Sequence, residues 1–241
     1  MAPRLVIIEP ESRAVTAISP LPMRDPIQAL VQGVRQDLLP ELHLESVHPH
    51  HPVVVHRVPE PWRCLGVGNY AAVFLHPDYP EQVVKVYAPG RPGLDAEVEV
   101  YRRLAEHPAF SQCYASEAPF LVLKRLHGVT LYDCLHRGIA IPPQVIRDID
   151  AALDDIRSRG LFPHDVHGRN VMQSEGRGLV VDVSDFLNSE PCRAWKDVKW
   201  AYWWVYRPLL LPLRLPIPYV VLDGVRTGYR LFRRLLGVVL R

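Results

Sequence analysis

Five side chains and one glycine pair in this 241-residue chain are spaced so that they could act together on a phosphate. The pair sits in Gly66-Val67-Gly68-Asn69-Tyr70-Ala71-Ala72-Val73. Glycines between two apolar runs let the backbone lie against a polyphosphate with its N–H groups aimed inward, although a plain β-hairpin would read the same way. Lys85 follows, centred in Val83-Val84-Lys85-Val86-Tyr87. Only four of the 28 basic residues are lysines, so a lysine inside an apolar strand asks for a reason. It is either an ammonium held in a cleft or an edge-strand lysine facing solvent. Glu97 lies on the next helical stretch, where its carboxylate could pair Lys85. Glu99 points about 200° away around the helix and is the solvated alternative.

Further along stand Pro163-His164-Asp165-Val166-His167-Gly168-Arg169-Asn170 and Leu179-Val180-Val181-Asp182-Val183-Ser184-Asp185-Phe186. An acid five residues before an asparagine, then an acid closing an apolar strand, is a metal–phosphate arrangement. Asp165 could accept a proton from a hydroxyl, and Asn170 and Asp182 offer the hard oxygens that suit Mg²⁺. Taken alone, Asp182 is also an ordinary turn former. Of the two neighbouring acids, Asp182 is preferred to Asp185 because the apolar run delivers it directly. His164 and His167 are alternative bases, but a histidine beside such an aspartate more often anchors backbone.

The elements that must position these groups change character along the chain. Residues 1–61 read as an extension, with a short strand at Arg4-Leu5-Val6-Ile7-Ile8 and a helix opened by Asp25-Pro26 that carries Ile27, Leu30, Val31, Val34 and Leu38. Val47-His48-Pro49-His50-His51-Pro52 reads as an extended linker rather than a metal site, since no Cys or carboxylate cluster accompanies it. Three short antiparallel strands over 63–87 follow, then a helix over 94–106, a strand at Phe120-Leu121-Val122-Leu123 and a short helix over 130–135. Pro142-Pro143 starts an amphipathic helix with the stripe Ile146, Ile149, Leu153 and Ile156, closed by Gly160. Two short strands, around Val171-Met172 and Leu179-Val180-Val181, precede a proline-broken apolar remainder. Strands first and helices afterwards give a two-lobed α+β architecture.

Composition narrows the classes. At 48% hydrophobic and 22% charged the chain is globular. Its 28 basic residues nearly balance 26 acidic ones, so bulk nucleic-acid binding is not expected. Twenty-four prolines argue against a helical bundle, and four scattered cysteines without a CxxC pair suggest a reducing, cytoplasmic setting. Trp195 to Tyr206 is read as a buried helix. The apolar run over 203–222 holds four prolines and is not expected to span a membrane. Over 225–241, Leu231, Phe232, Leu235, Leu236 and Val239 alternate with Arg226, Arg230, Arg233 and Arg234, a pattern for a docked terminal helix or a peripheral membrane or partner contact.

In order, Gly66/Gly68, Lys85, Glu97, Asp165/Asn170 and Asp182 resemble the motif set of the protein-kinase-like superfamily, over about residues 63–197 and nearest its compact bacterial, RIO-like and lipopolysaccharide-kinase-like branches. The resemblance implies a small β-rich lobe (62–126) and a helical lobe (127–224), flanked by the extension (1–61) and a basic amphipathic helix (225–241). It implies ATP and Mg²⁺ as cofactors, Asp165, Lys85 and Glu97 as catalytic residues, and Asn170 and Asp182 as metal ligands. The nucleotide would contact Gly66, Val67, Gly68, Asn69, Val73, Lys85, Leu123, Lys124, Leu126 and Asn170, with Lys124 to Leu126 presenting backbone groups to the adenine. Asp197 would tie to the catalytic-loop backbone.

The departures are Ala71 for the third glycine, Pro163-His164 before the aspartate, Asp182-Val183-Ser184 for Asp-Phe-Gly, and only 15 residues from Asp182 to Asp197. A long activation segment has no room there. The expected activity is transfer of the γ-phosphoryl to a hydroxyl, as an atypical serine/threonine kinase. The alternatives are a small-molecule or lipid-sugar kinase and a nucleotide-binding pseudokinase.

Overall fold

The computed structural model describes residues 25–48 and 51–239. Helix α1 (Pro26–Gly33) starts where Asp25 accepts a hydrogen bond from the Ile27 N–H, and runs into a π-turn over Val34–Leu38. A two-stranded ribbon follows, β1 (His43–Glu45) and β2 (Val54–Arg57). The expected strand at residues 4–8 lies outside the described residues, as does part of the His-Pro run.

The next strands form one antiparallel sheet in the order β3-β4-β5-β7-β6, from β3 (Arg63–Val67), β4 (Ala71–Leu75), β5 (Gln82–Tyr87), β6 (Cys113–Glu117) and β7 (Phe120–Lys124). Helix α2 (Leu94–Leu104) is inserted between β5 and β6. Strand β6, whose alternating Cys113-Tyr114-Ala115-Ser116-Glu117 has little apolar signal, was not expected from sequence.

Side-chain parity on this sheet does the sorting. Val84 and Val86 of β5, Phe74 of β4 and Phe120 and Val122 of β7 pack with Leu30, Val34, Leu38 and Trp62 on one face. Val83 and Tyr87, Ala71, Leu121 and Leu123 turn to the opposite face and join the core shared with the helical lobe. The segment read as a separate extension therefore supplies the outer cover of the sheet: Leu30, Val34 and Leu38 are fully buried there. That cover explains why β5 and β7 are apolar on both faces.

The second lobe begins with β8 (Val129–Thr130) and α3 (Leu131–Arg137), capped by the Thr130 hydroxyl. Helix α4 (Pro143–Asp155) buries Val145, Ile146, Ile149 and Leu153, as its stripe predicts, and a 3₁₀ turn ends at Gly160 with φ +70°. Strands β9 (Val171–Ser174) and β10 (Arg177–Val180) complete a three-stranded sheet with β8. Gly178 is required by packing, since a Cβ there would lie 2.3 Å from the Val145 carbonyl oxygen on α4.

Helix α5 (Ala194–Ala201) continues as a π-helix over Tyr202–Leu210, and α6 (Tyr219–Val239) ends the described chain. The aromatic run is only half interior: Trp195 and Tyr202 are buried, but Trp200 and Trp204 are exposed. The terminal helix begins at Tyr219 rather than Val225, because Pro218 supplies the helix start and its carbonyl accepts the first amides, from Val221 and Leu222.

Candidate active site

Lys85 is on an interior strand, paired to Val73 of β4 on one side and Leu121 of β7 on the other, so the edge-strand reading fails. Its side chain shares the inner face with Val83 and Tyr87 and meets Glu97, the buried acid of α2. The ammonium donates to Glu97 Oε1 at 2.9 Å, with Oε2 at 2.7 Å and Asp182 Oδ1 at 3.6 Å. Burial opposes the charge on Lys85, but Asp182 and Glu97 outweigh it and hold the ammonium above its ordinary range. The Tyr87 hydroxyl donates to the other Glu97 oxygen, and burial followed by Glu97 drives that phenol's pKa far up, so it stays a donor. Tyr87 was missed from sequence, although its parity with Lys85 on one strand was the available signal. Glu99 instead pairs with Arg102 and Arg103 at the surface, as expected.

Asp182 lies just beyond β10. Burial favours its neutral form, but Lys85 and the Ser184 N–H, which donates to Oδ1 at 3.1 Å, lower its pKa below the usual carboxylate range. It is therefore ionised. Among the described residues, Asp185, three residues on, has no hydrogen-bond partner for its carboxylate; burial, then Asp182 and Asp165, push its pKa up. Its backbone supports the turn that follows: the Asn188 N–H donates to the Asp185 carbonyl.

Asn170 is fixed from three sides. Its amide N–H donates to the His167 carbonyl, its carbonyl accepts from Val181 N–H at 2.9 Å, and its Nδ2 donates to the Asp165 carbonyl at 3.1 Å. The Val181 bond brings Asn170 beside Asp182, and the last bond leaves Oδ1 of Asn170 for a ligand. Asp165 itself sits at φ +50°, a left-handed conformation costly for a non-glycine, and its N–H donates to Cys192 Sγ at 3.4 Å. Its carboxylate is half exposed, with His167 Nε2 3.7 Å away. Among the described residues, His164 has Nδ1 buried without a partner and Nε2 3.3 Å from Asn188 Nδ2.

The donor set fits a divalent cation. Asp182 and Asp165 both act electrostatically on Asp185, a cluster of acids whose field favours positive charge. No three His, Cys, Asp or Glu side chains converge among the described residues. Mg²⁺ would therefore rest on Asp182 and Asn170, with phosphate and water oxygens supplying the rest, its usual mode of binding.

At the glycine turn, the Gly68 N–H donates to Ala71 O at 2.8 Å and Val53 N–H donates to Gly68 O. A Cβ at Gly66 would meet nothing within 4 Å, so the space over the turn is open, as a polyphosphate needs. Val67 at its rim is exposed, and Val73 on β4 packs against the shared core. At the connection between lobes, Leu123 is buried at the end of β7. Lys124 departs from expectation: its N–H donates to Gln112 O and its carbonyl accepts the Ser111 hydroxyl at 2.7 Å. Arg125 N–H donates to Glu81 O. Among the described residues, the Leu126 N–H is thus the expected backbone donor without a protein acceptor.

Asp197 also departs. Tyr229 of α6 donates to its carboxylate, while Trp195 and Lys199 of α5 donate to Asp150 of α4 instead. The catalytic-loop segment is held from elsewhere. Tyr132 N–H donates to Gly168 O, and Arg169 lies 4.1 Å over the Tyr132 ring while donating to Asp223 of α6 at 2.8 Å.

No protein-family model matches the chain. A curated relative does: the Bacillus subtilis protein YrzF, named "Putative serine/threonine-protein kinase", is 33% identical over 155 residues, which cover 63% of this chain and 72% of the relative. The chain belongs to the protein-kinase-like superfamily. Solved kinase structures are similar as well. A double mutant of the Mycobacterium tuberculosis PknI kinase domain is 24% identical with a TM-score of 0.38, the match covering 54% of this kinase and 60% of that domain. Rad53 in complex with AMP-PNP is 20% identical with a TM-score of 0.42, covering 50% of this chain and 36% of that one. The kinase thus spans less than two thirds of those solved chains.

Proposed function

We propose that this kinase moves the γ-phosphoryl of ATP to an alcohol, as an atypical serine/threonine protein kinase. The observation that carries the proposal is the Lys85–Glu97–Asp182 cluster, an ion pair with one buried partner beside an ionised acid at the mouth of an open glycine turn. The lobes over 62–126 and 127–224 would enclose the nucleotide between them. Gly66 to Asn69 cover the phosphates, Val67, Val73 and Leu123 line the base, the Leu126 N–H donates to it, and Lys85 orients the α and β groups. Asp182 and Asn170 hold Mg²⁺, which when bound neutralises charge on the β and γ oxygens.

Asp165 accepts the hydroxyl proton as the acceptor oxygen bonds to the γ-phosphorus and the bond from that phosphorus to the β–γ bridging oxygen breaks; ADP leaves. Catalysis in this scheme is positioning and charge neutralisation. The short stretch from Asp182 to α5 favours a second reading, a small-molecule or lipid-sugar acceptor, because it leaves little platform for a peptide. Incubating the purified chain with γ-labelled ATP, a cell lysate and a panel of small alcohols decides. Label in protein supports the first reading and label in a small alcohol the second. No Mg²⁺-dependent turnover of any kind removes both.

A further inference from the structure

Helix α6 is docked with the wrong side outward for a helix that simply completes a core. Over residues 219–229, the described side-chain contacts that hold it are polar or aromatic. The Tyr219 hydroxyl donates to Asp133 at 2.9 Å, and its ring stacks on His136 with centroids 3.6 Å apart. Asp223 accepts from Tyr132 at 2.7 Å and from Arg169 at 2.8 Å. At about 100° per residue, Tyr219 and Asp223 lie within roughly 40° of each other around the helix, whereas Val220, Val221 and Val225 fall about 100° to 240° away. Those valines are 83%, 51% and 67% exposed. The end of α5, the π-helix that continues it and the turn after that repeat the pattern, with Trp200, Trp204, Leu209 and Leu213 between 59% and 70% exposed. Tyr229 donates to Asp197, so α6 and α5 adjoin.

Charge says what covers this face. From 200 to 241 the sequence has seven arginines and one acid, and the acid, Asp223, is already taken up by Arg169 and Tyr132. The core of a protein–protein interface is depleted in charge. Exposed valine and leucine with tryptophans, interleaved with arginine and almost no acid, match instead the interfacial region of an anionic bilayer. Among the described residues no helix is long and apolar enough to cross a membrane, so the contact is peripheral.

We propose that the outward face of α6 and the adjoining π-helix docks on an anionic lipid surface, with α6 lying in the plane of the interface. The proposal is independent of the reaction assigned above. It is tested on the full chain by flotation with vesicles of phosphatidylcholine alone and of phosphatidylcholine mixed with phosphatidylglycerol. Binding is expected to the mixed vesicles and not to the neutral ones, and to fall when salt rises from about 0.1 M to about 1 M. Val220→Glu/Val225→Glu should weaken it at least about tenfold. Both sites are exposed, so melting temperature and ATP turnover without vesicles stay unchanged. Trp200→Ser/Trp204→Ser, on α5 and the π-helix that continues it, should weaken it as well and stands in if the first variant misfolds. Absence of vesicle binding overturns the proposal, as does equal binding to neutral vesicles or undiminished binding by both variants. A concentration-dependent dimer that Val220→Glu/Val225→Glu dissolves, with no vesicle binding, would assign the face to a second copy of the chain.

Discussion

The two halves of the site are built from similar polar groups under opposite conditions. On the proposed nucleotide side, Lys85 and Glu97 keep 14% and 1% of their side-chain surface, inside a sheet that is apolar on both faces. On the proposed acceptor side, the Asp165 carboxylate is 55% exposed, and the Arg169–Asp223 pair is 42% and 52% exposed. Charges in the first setting are weakly screened and strongly coupled, so each depends on its partners. Charges in the second are screened by water, and each contributes little alone. The nucleotide half should therefore be brittle to single substitutions and the acceptor half tolerant.

The largest effect is expected from Lys85→Met. Turnover should fall at least about a thousandfold, roughly 4 kcal/mol of barrier. Loss of the ammonium also strands Glu97 in the interior with only the Tyr87 hydroxyl, at a cost of about 3 kcal/mol in stability. Parallel ADP-release assays and thermal melts read the two consequences. Full turnover in this variant would move the chemistry away from the nucleotide half altogether.

Next comes the choice between adjacent acids. Asp182→Asn should remove Mg²⁺-dependent transfer, because its carboxylate reaches Lys85, whereas Asp185→Asn should cost no more than about tenfold, roughly 1.4 kcal/mol. The reverse outcome would place the metal one turn later in the chain.

The two acids also differ in sign with pH. Asp182 has a lowered pKa in the fold, so its stabilisation is present above the ordinary carboxylate range, near 4, and is lost as pH falls through the folded value. Lys85 has a raised pKa, so its share is complete below its ordinary value of about 10.4 and is lost only as pH rises through the folded one. Asp185 is a carboxyl with a raised pKa, favoured in its neutral form, so ionising it costs stability as pH rises through its folded value. Asp185→Asn should accordingly raise stability near neutral pH by under about 1 kcal/mol, read as a higher melting temperature, with the gain shrinking toward the carboxylate range. A gain independent of pH would refute the electrostatic cause.

The same contrast governs what could be read in the sequence. Lys85 and Asp182 stood out because each interrupts or closes an apolar run, where a polar group needs a partner, and Gly66, Glu97 and Asn170 by their spacing from them and from Asp165. The sheet was legible for the same reason, except at β6, where Tyr114 and Ser116 give alternation without hydrophobic contrast. The acceptor half gave no such signal. Arg169 is one of 24 arginines, and its partner Asp223 is 54 residues away on a helix whose start was placed at Val225. Asp197 failed as an expectation because its hydroxyl partner, Tyr229, comes from that same helix. The outer-face role of α1 was hidden too: an amphipathic helix shows that it packs, not on what.

The smallest effect is expected where the acceptor half is tied to α6. Asp223→Ala frees Arg169 from one partner but leaves it over the Tyr132 ring, so the catalytic loop keeps part of its support. An exposed ion pair of this kind contributes under about 1 kcal/mol, and the melting temperature should barely move. Asn170 is next to Arg169 in the chain and donates to the Asp165 carbonyl, so any loosening reaches Asp165 through one side chain. A loss of about two- to fivefold in kcat, with the KM for ATP unchanged, is the expected reading. The reciprocal pair Arg169→Asp/Asp223→Arg should recover part of it, because the attraction survives reversal while the ring contact does not. A loss beyond about tenfold in Asp223→Ala would break the comparison, since it would make an exposed, screened pair as consequential as the buried one around Lys85.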